Sequence, residues 1–361
     1  MTRLRAALRD LAGDMPEPAF TDDLAGIALA NHERKRRRIT MATAFFATVA
    51  TVGAITAGMT LTGARHADVD AATKALPELP AEPVGALSYA YRTSCETEPE
   101  LDCSAVEWRV VTRAGKEYRV PQALGYTRQA NSVPVAISRD GSKLAYYGKD
   151  EQAHVVHDVV TGEETVSPVK VAQDRIGVGS MLVVSEDGRY LAFDPREGSK
   201  RPGLLIDLSS GKTRSLNAKY EPVSIKDGKV ELVRYRRTDL WLMPVTGGGK
   251  PVNFPGPYIF FSEVAPDHRT VAALDFDDKN KVTLLDSTTG KRLRKVTVKN
   301  VPAKGTHVGT RIWASPSEVV LDYEVRGSLR SYALNVKTGR LRHLEDYSDA
   351  FFTSSVLPGG Y

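Results

Sequence analysis

Glycine turns that recur through residues 84–361, short apolar runs between them, and one uncharged run near the N-terminus predict the fold class. It is all-β: a six-bladed β-propeller whose C-terminal strand closes the first blade, preceded by a transmembrane helix and a short helical cytoplasmic head. The chain has 361 residues, enough for two domains or one large all-β unit. Hydrophobic residues make up 42% and charged residues 26%, which excludes a disordered chain and a multi-span membrane protein. The formal charge of +5 is too small an excess to point to nucleic acid. Two cysteines exclude a disulfide-dense scaffold and a four-cysteine zinc site.

Residues 1–38 form the head. Leu4, Ala7, Leu8 and Leu11 recur at helical spacing, Gly13–Pro18 interrupts the pattern, and Leu24, Ile27 and Ala28 resume it. Two such short helices cannot bury a core alone. They either contact a cytoplasmic partner through Leu4, Leu8, Leu11, Leu24 and Ile27, lie on the membrane surface, or remain a solvated stub. Residues 39–63 follow, 25 positions without a charge. At 1.5 Å per residue a helix of that length spans about 37 Å, enough to cross a bilayer core of about 30 Å. The basic run Arg34–Arg38 abuts it, which keeps the N-terminus in the cytoplasm and exports the rest. Thr62-Gly63-Ala64 leaves a cleaved signal as the alternative to an uncleaved span. Gly53, Ala54, Ala57 and Gly58 place small residues one turn apart, either a dimerisation face or the plain consequence of an Ala/Thr-rich segment. Residues 64–83, with Pro77, Pro80 and Pro83, read as a semi-extended linker.

From residue 84 one pattern repeats: a turn, an apolar strand, a loop, a second apolar strand, a Gly turn and a final strand. The Gly turns fall at 115, 162, 211, 248, 290 and 339, with gaps of 37 to 49 residues. That period is close to one four-stranded propeller blade. The first copy, Ala86–Tyr91 onward, lacks a leading strand, and the stretch Phe351–Gly360 supplies it from the other end of the chain. Runs such as Leu204-Leu205-Ile206 are apolar at consecutive positions, as expected of strands buried on both faces. Lys212, Arg214, Arg292, Arg294, Arg340 and Arg342 put charge on the final strands, which opposes edge-to-edge aggregation.

The segments Ser138–Tyr147, Ser185–Phe193 and Ala265–Leu274, each followed by a Thr/Ser-Gly turn, resemble the WD40-like repeat of TolB-type β-propellers. The copies around Asp227 and Ser315 depart from it. The resemblance covers most of 84–361 and implies a fold, with little about function. The whole layout is similar to propeller membrane proteins of high-GC Gram-positive bacteria and, in plan, to anti-sigma factors.

Chemistry is sparse. Cys95 and Cys103 close a short loop outside the membrane, where a disulfide is the default, with a loop-entropy gain of about 2–3 kcal/mol. There is no Gly-x-Ser-x-Gly. His154 and His157 sit at odd strand spacing, unsuited to joint metal ligation. Asp275, Asp277 and Asp278 cluster without the spacing of a calcium loop. Gly247-Gly248-Gly249-Lys250 reads as a turn, and Trp108, Trp241 and Trp313 as core. Propeller ligands meet the ring at one channel mouth. Arg128, Arg175, Tyr258 and Arg311 are the candidates there, against the alternative of ordinary loop residues. These readings predict a non-enzymatic binding or sensor protein of the cell membrane, without cofactor, metal or nucleic acid. Its propeller is extracytoplasmic and its partners are proteins, one of them a cytoplasmic regulator such as a sigma factor. An envelope scaffold is the alternative, and a propeller lyase or hydrolase a further one.

Overall fold

The computed structural model describes residues 76–95, 102–196, 201–235, 238–347 and 354–360. The predicted head, with Leu4, Leu8, Leu11, Leu24 and Ile27, and the predicted span 39–63 lie outside the described residues. Among the described residues no helix is long and apolar enough to cross a membrane.

The repeat motifs are hairpin chemistry. In the first full copy the Ser138 hydroxyl donates to Asp140 Oδ1 at 2.6 Å and accepts from Lys143 N at 2.9 Å, so the Ser-x-Asp-Gly turn is tied at both ends. Ser185 and Asp187 repeat the arrangement. A second cap recurs four residues before the Gly turns. Asp158 accepts from Val160 N and Thr161 N, Asp286 from Thr288 N and Thr289 N, and Asn335 from Lys337 N and Thr338 N. These are Asx turns, which replace the bonds that the chain loses on reversing.

Six antiparallel four-stranded sheets result. Blade 1 contains β1 (Leu87–Arg92), β2 (Trp108–Thr112) and β3 (Glu117–Val120). Blade 2 is β4 (Ala136–Ile137), β5 (Lys143–Gly148), β6 (Ala153–Asp158) and β7 (Glu164–Lys170). Blade 3 is β8 (Met181–Val184), β9 (Tyr190–Asp194), β10 (Leu204–Asp207) and β11 (Thr213–Ser215). Blade 4 is β12 (Glu221–Lys226), β13 (Lys229–Arg234), β14 (Asp239–Pro244) and β15 (Val252–Asn253). Blade 5 is β16 (Tyr258–Ile259), β17 (Thr270–Asp275), β18 (Asp278–Asp286) and β19 (Arg292–Thr297). Blade 6 is β20 (Gly305–Ser315), β21 (Glu318–Val325), β22 (Ser328–Asn335) and β23 (Leu341–Tyr347). The inner position of blade 1 is filled by β24 (Ser355–Val356), which pairs Ala90 with Val356 and Tyr91 with Ser355. The closure expected from the sequence is therefore present.

The core is six layers, each shared by two neighbouring blades. Leu87, Trp108 and Val110 of blade 1 meet Ile137, Leu144 and Tyr146 of blade 2. Corresponding clusters join blades 2 and 3, 3 and 4, 4 and 5, and 5 and 6. Tyr89 of blade 1 meets Val308, Leu329 and Tyr347 of blade 6, which completes the ring. Consecutive apolar residues serve consecutive layers: Leu205 packs toward blade 4 and Ile206 toward blade 2. Trp108 and Trp313 are core, whereas Trp241 is half-buried and donates to Gly248 O. Two outer-edge arginines also hold the next blade. Arg214 donates to Val245 O at 3.1 Å and Arg294 to Lys337 O at 3.0 Å.

Candidate ligand groove and the closed end of the channel

The inner strands run from a face built of long loops to a face built of the Asp-Gly turns. On the long-loop face, blades 1 and 2 enclose a groove of about 410 Å³, within the range of small-ligand sites. Val106, Leu124 and Tyr126 give it an apolar lining; Ser104, Thr127 and Gln173 add polar groups, and Arg128 and Lys149 add cations. Cys103 forms part of the wall, and its disulfide to Cys95 is present, with a Cα–Cα distance of 4.4 Å. The bond fixes the β1–β2 loop at its base, where Thr93 N donates to Glu107 O and Val106 N to Cys103 O.

Tyr126 is held from behind. The Arg92 guanidinium lies 4.3 Å from its ring centroid and 5.5 Å from that of Trp108, and donates to Ser132 Oγ. Burial lowers the Arg92 pKa. Among the described residues this cation has no carboxylate partner, so the two aromatic faces are its electrostatic support.

The four sequence-predicted mouth residues separate into two pairs. Arg128 lines the groove and is exposed; Arg175 is half-buried on the short 3-10 turn Gln173–Arg175, whose Gln173 also lines the groove. Tyr258 and Arg311 are not at the surface. Tyr258 is 2% exposed, packed with Phe254 and Phe261 between blades 4 and 5. Arg311 is buried against Asp322, with Nε–Oδ2 at 2.5 Å and Nη2–Oδ1 at 3.0 Å. The arithmetic of strand ends placed both near a mouth, but their side chains point into inter-blade layers.

Another cluster was missed by the sequence reading. At the start of β12, Glu221 pairs with Arg196 beside Asp194. Burial pushes its pKa up to about 7.

The Asp-Gly end of the channel is closed by a cross-ring latch. Arg139 of blade 2 reaches Glu263 of blade 5, opposite in a six-membered ring, at 3.0 Å, and Trp313 O of blade 6 at 2.8 Å. The same Glu263 Oε1 accepts from Trp313 N at 3.1 Å and faces Lys226 Nζ of blade 4 at 3.3 Å. One carboxylate thus ties four blades. Glu231 stands beside it, 1% exposed. Its Oε2 accepts from Ser224 Oγ at 2.9 Å, and its Oε1 has no partner among the described residues. Burial, then the nearby Glu263 charge, raises its pKa to about 8. A cavity of about 20 Å³ adjoins it, room for one water.

The other side chains singled out in the sequence are packed or ion-paired. His154 packs on Phe193 at 4.8 Å, and burial lowers its pKa to about 4. His157 is equally buried. Asp275 pairs with Lys295 and Asp278 with Lys281, each at 2.5 Å. Among the described residues no group of three metal-ligating side chains converges.

No family model matches the chain, and none of the curated proteins matches it. Solved structures do resemble it. TolB from Acinetobacter baumannii is 15% identical over 75% of this chain and 66% of its own, with a TM-score of 0.49. The nidogen/laminin complex is 8% identical over 72% of this chain and 92% of its own, at 0.44. Dihydro-heme d1 dehydrogenase NirN in complex with DHE is 13% identical over 75% and 57%, at 0.40. Such identities bear on fold alone, and at these TM-scores the propeller assignment rests on the strand pairing above.

Proposed function

We propose that the chain is a membrane-anchored binding protein whose extracytoplasmic propeller takes up an envelope ligand or protein in the groove of blades 1 and 2. Residues 1–38 pass its state to a cytoplasmic regulator such as a sigma factor. One observation carries this reading: an uncharged 25-residue run, bounded by Arg34–Arg38, precedes a disulfide-bonded propeller. The groove supports the binding part. Its hydroxyls, amide and two cations around an apolar lining suit a ligand with an apolar body and an anionic group. Binding is favoured over catalysis because the strongly perturbed Glu231 and His154 are buried and neither lines the groove.

The test is affinity capture of the full chain from its native membranes, in parallel with a chain lacking residues 1–33. A cytoplasmic regulator recovered with the first and lost with the second supports signalling. Envelope partners alone, the same for both, would reduce the head to a topology device and leave an envelope scaffold.

A further inference from the structure

The segment 76–85, which reads as linker up to residue 83, is bonded to two blades. Leu79 N donates to Arg119 O at 2.7 Å and Arg119 N to Pro77 O at 2.9 Å, a parallel bridge on the outer edge of β3. The Arg119 guanidinium adds bonds to Leu76 O and Glu78 Oε1, both at 3.0 Å. Leu79 is 7% exposed, in the same apolar layer as Val120 and Ala123. Val84 N and Gly85 N then both donate to Val159 O of blade 2.

The rest of the ring shows what this segment replaces. In blades 5 and 6 the Gly turn is a socket for a carbonyl from the preceding blade. A Cβ on Gly290 would lie 2.1 Å from Asn253 O, and one on Gly339 would lie 2.2 Å from Thr297 O. At Gly162 of blade 2 the occupant is Ala81 O, at 2.0 Å, and not a residue of β3. A parallel bridge between Lys299 and Arg340 likewise joins blade 5 to blade 6 beside Gly339, whereas the Glu78–Arg119 bridge lies on the outer edge of blade 1 itself. Gly115 of blade 1 has the same left-handed backbone, with φ of 76° against 84° at Gly162, but among the described residues nothing lies within 4 Å of its Cβ position.

We propose that residues 76–85 are a strap that takes the place of an outer-strand end at the junction of blades 1 and 2. The strap is bonded to the two blades that line the groove. It needs neither a ligand nor a membrane to hold. Leu79 shares its layer with Ala123, the residue before the groove's Leu124.

Hydrogen exchange on the full chain tests this. The amides of Leu79, Val84 and Gly85 are expected to exchange as slowly as those of β3. Exchange at the rate of free peptide while β3 stays protected would overturn the strap. Gly162→Ala drives a methyl into Ala81 O and is expected to speed exchange over 77–85 by about tenfold or more. Gly115→Ala carries the same left-handed strain with no neighbour among the described residues and is expected to leave those amides unchanged. Equal effects of the two variants would also overturn it. Should Gly162→Ala fail to fold, Arg119→Ala, which removes two bonds to the strap, is expected to loosen 76–79 alone, and no change there would count against the strap.

Discussion

Blade 6 shows two different faces from the same strands. On β21, Val319, Leu321, Tyr323 and Val325 look toward blade 5, where they join Trp313, Val296 and Val298 in an apolar layer. Asp322, between two of them, looks the other way, toward blade 1. There the described apolar layer is small: Tyr89, Val308, Leu329, Tyr347 and Leu357. Its centre is polar. Arg311 donates to Asp322, to Ser331 Oγ at 2.9 Å and to Pro358 O at 2.6 Å, and Ser331 Oγ donates to Asp322 at 2.5 Å. The difference follows from covalent continuity. Blades 5 and 6 are joined by a short connection and need only area. Blades 6 and 1 are the last and first in sequence, with β24 pairing at only two residues, so their register needs directional bonds. Arg311 provides one, gripping the carbonyl of Pro358 just beyond β24.

The sharpest way to break this comparison is Arg311→Ala. It strands Asp322, 4% exposed, without its counter-ion, and about 3–5 kcal/mol of unfolding free energy is expected to be lost in a denaturant titration. The double variant Arg311→Met with Asp322→Leu is expected to recover most of that loss, because an apolar pair of similar volume is often neutral or better. If the ion pair gives register rather than net stability, the double variant regains stability but broadens the transition. On the other face Leu321→Ala is expected to cost about 2–5 kcal/mol through its cavity, with no partner substitution that restores it by charge. Equal behaviour of the two faces in these rescues would remove the distinction.

Gly359→Ala comes next. Its φ is 68°, and a Cβ would lie 2.5 Å from Ile312 Cγ2 of blade 6, while its N–H already donates to Ile137 O of blade 2. Left-handed backbone alone costs about 1–2 kcal/mol for a residue with a Cβ. The expected result is a lower thermal midpoint together with faster hydrogen exchange in β1, next to β24. Unchanged exchange in β1 would mean that the C-terminal tail does not secure the seam.

Much of this architecture was legible in the sequence because it repeats. Ser138-Arg139-Asp140-Gly141 and its copies specify turns by local hydrogen bonding, and doubly apolar runs such as Leu204–Ile206 specify stacking on both sides. The acceptors Asp158, Asp207, Asp286 and Asn335, each four residues before a Gly turn, were equally readable and went unread. Side chains that act across the ring were not readable. Arg139 and Glu263 are 124 positions apart, and nothing local marks them as partners. Arg311 carried the signature of a mouth residue, a cation at an inner strand, and is instead the buried half of the seam's ion pair. The groove was half visible: Arg128 sits in a loop that the repeat places on the right face, but only the folded chain puts Cys103, Leu124 and Gln173 around it.

An effect confined to high pH concerns the latch, where one carboxylate ties four blades. Glu231 is buried with one oxygen unpartnered, and its pKa is raised to about 8 in the folded chain, from 4.5 for the free group. A raised carboxyl pKa means that the folded state holds the proton more tightly than the unfolded one. Its contribution is fully present below about pH 4.5 and is lost as pH rises through about 8. Over that window the slope for one proton is on the order of 1 kcal/mol per pH unit. Glu231→Gln keeps the shape and the bond to Ser224 but cannot ionise. The variant is expected to match the native chain at pH 5 and to unfold at a higher temperature at pH 9. Glu263, paired with Arg139 and Lys226, is common to both chains, so the comparison isolates Glu231. A variant that is no more stable than the native chain at pH 9 would mean that water in the adjoining cavity already solvates the ionised carboxylate, and the latch would then be a wet polar cluster rather than a dry one.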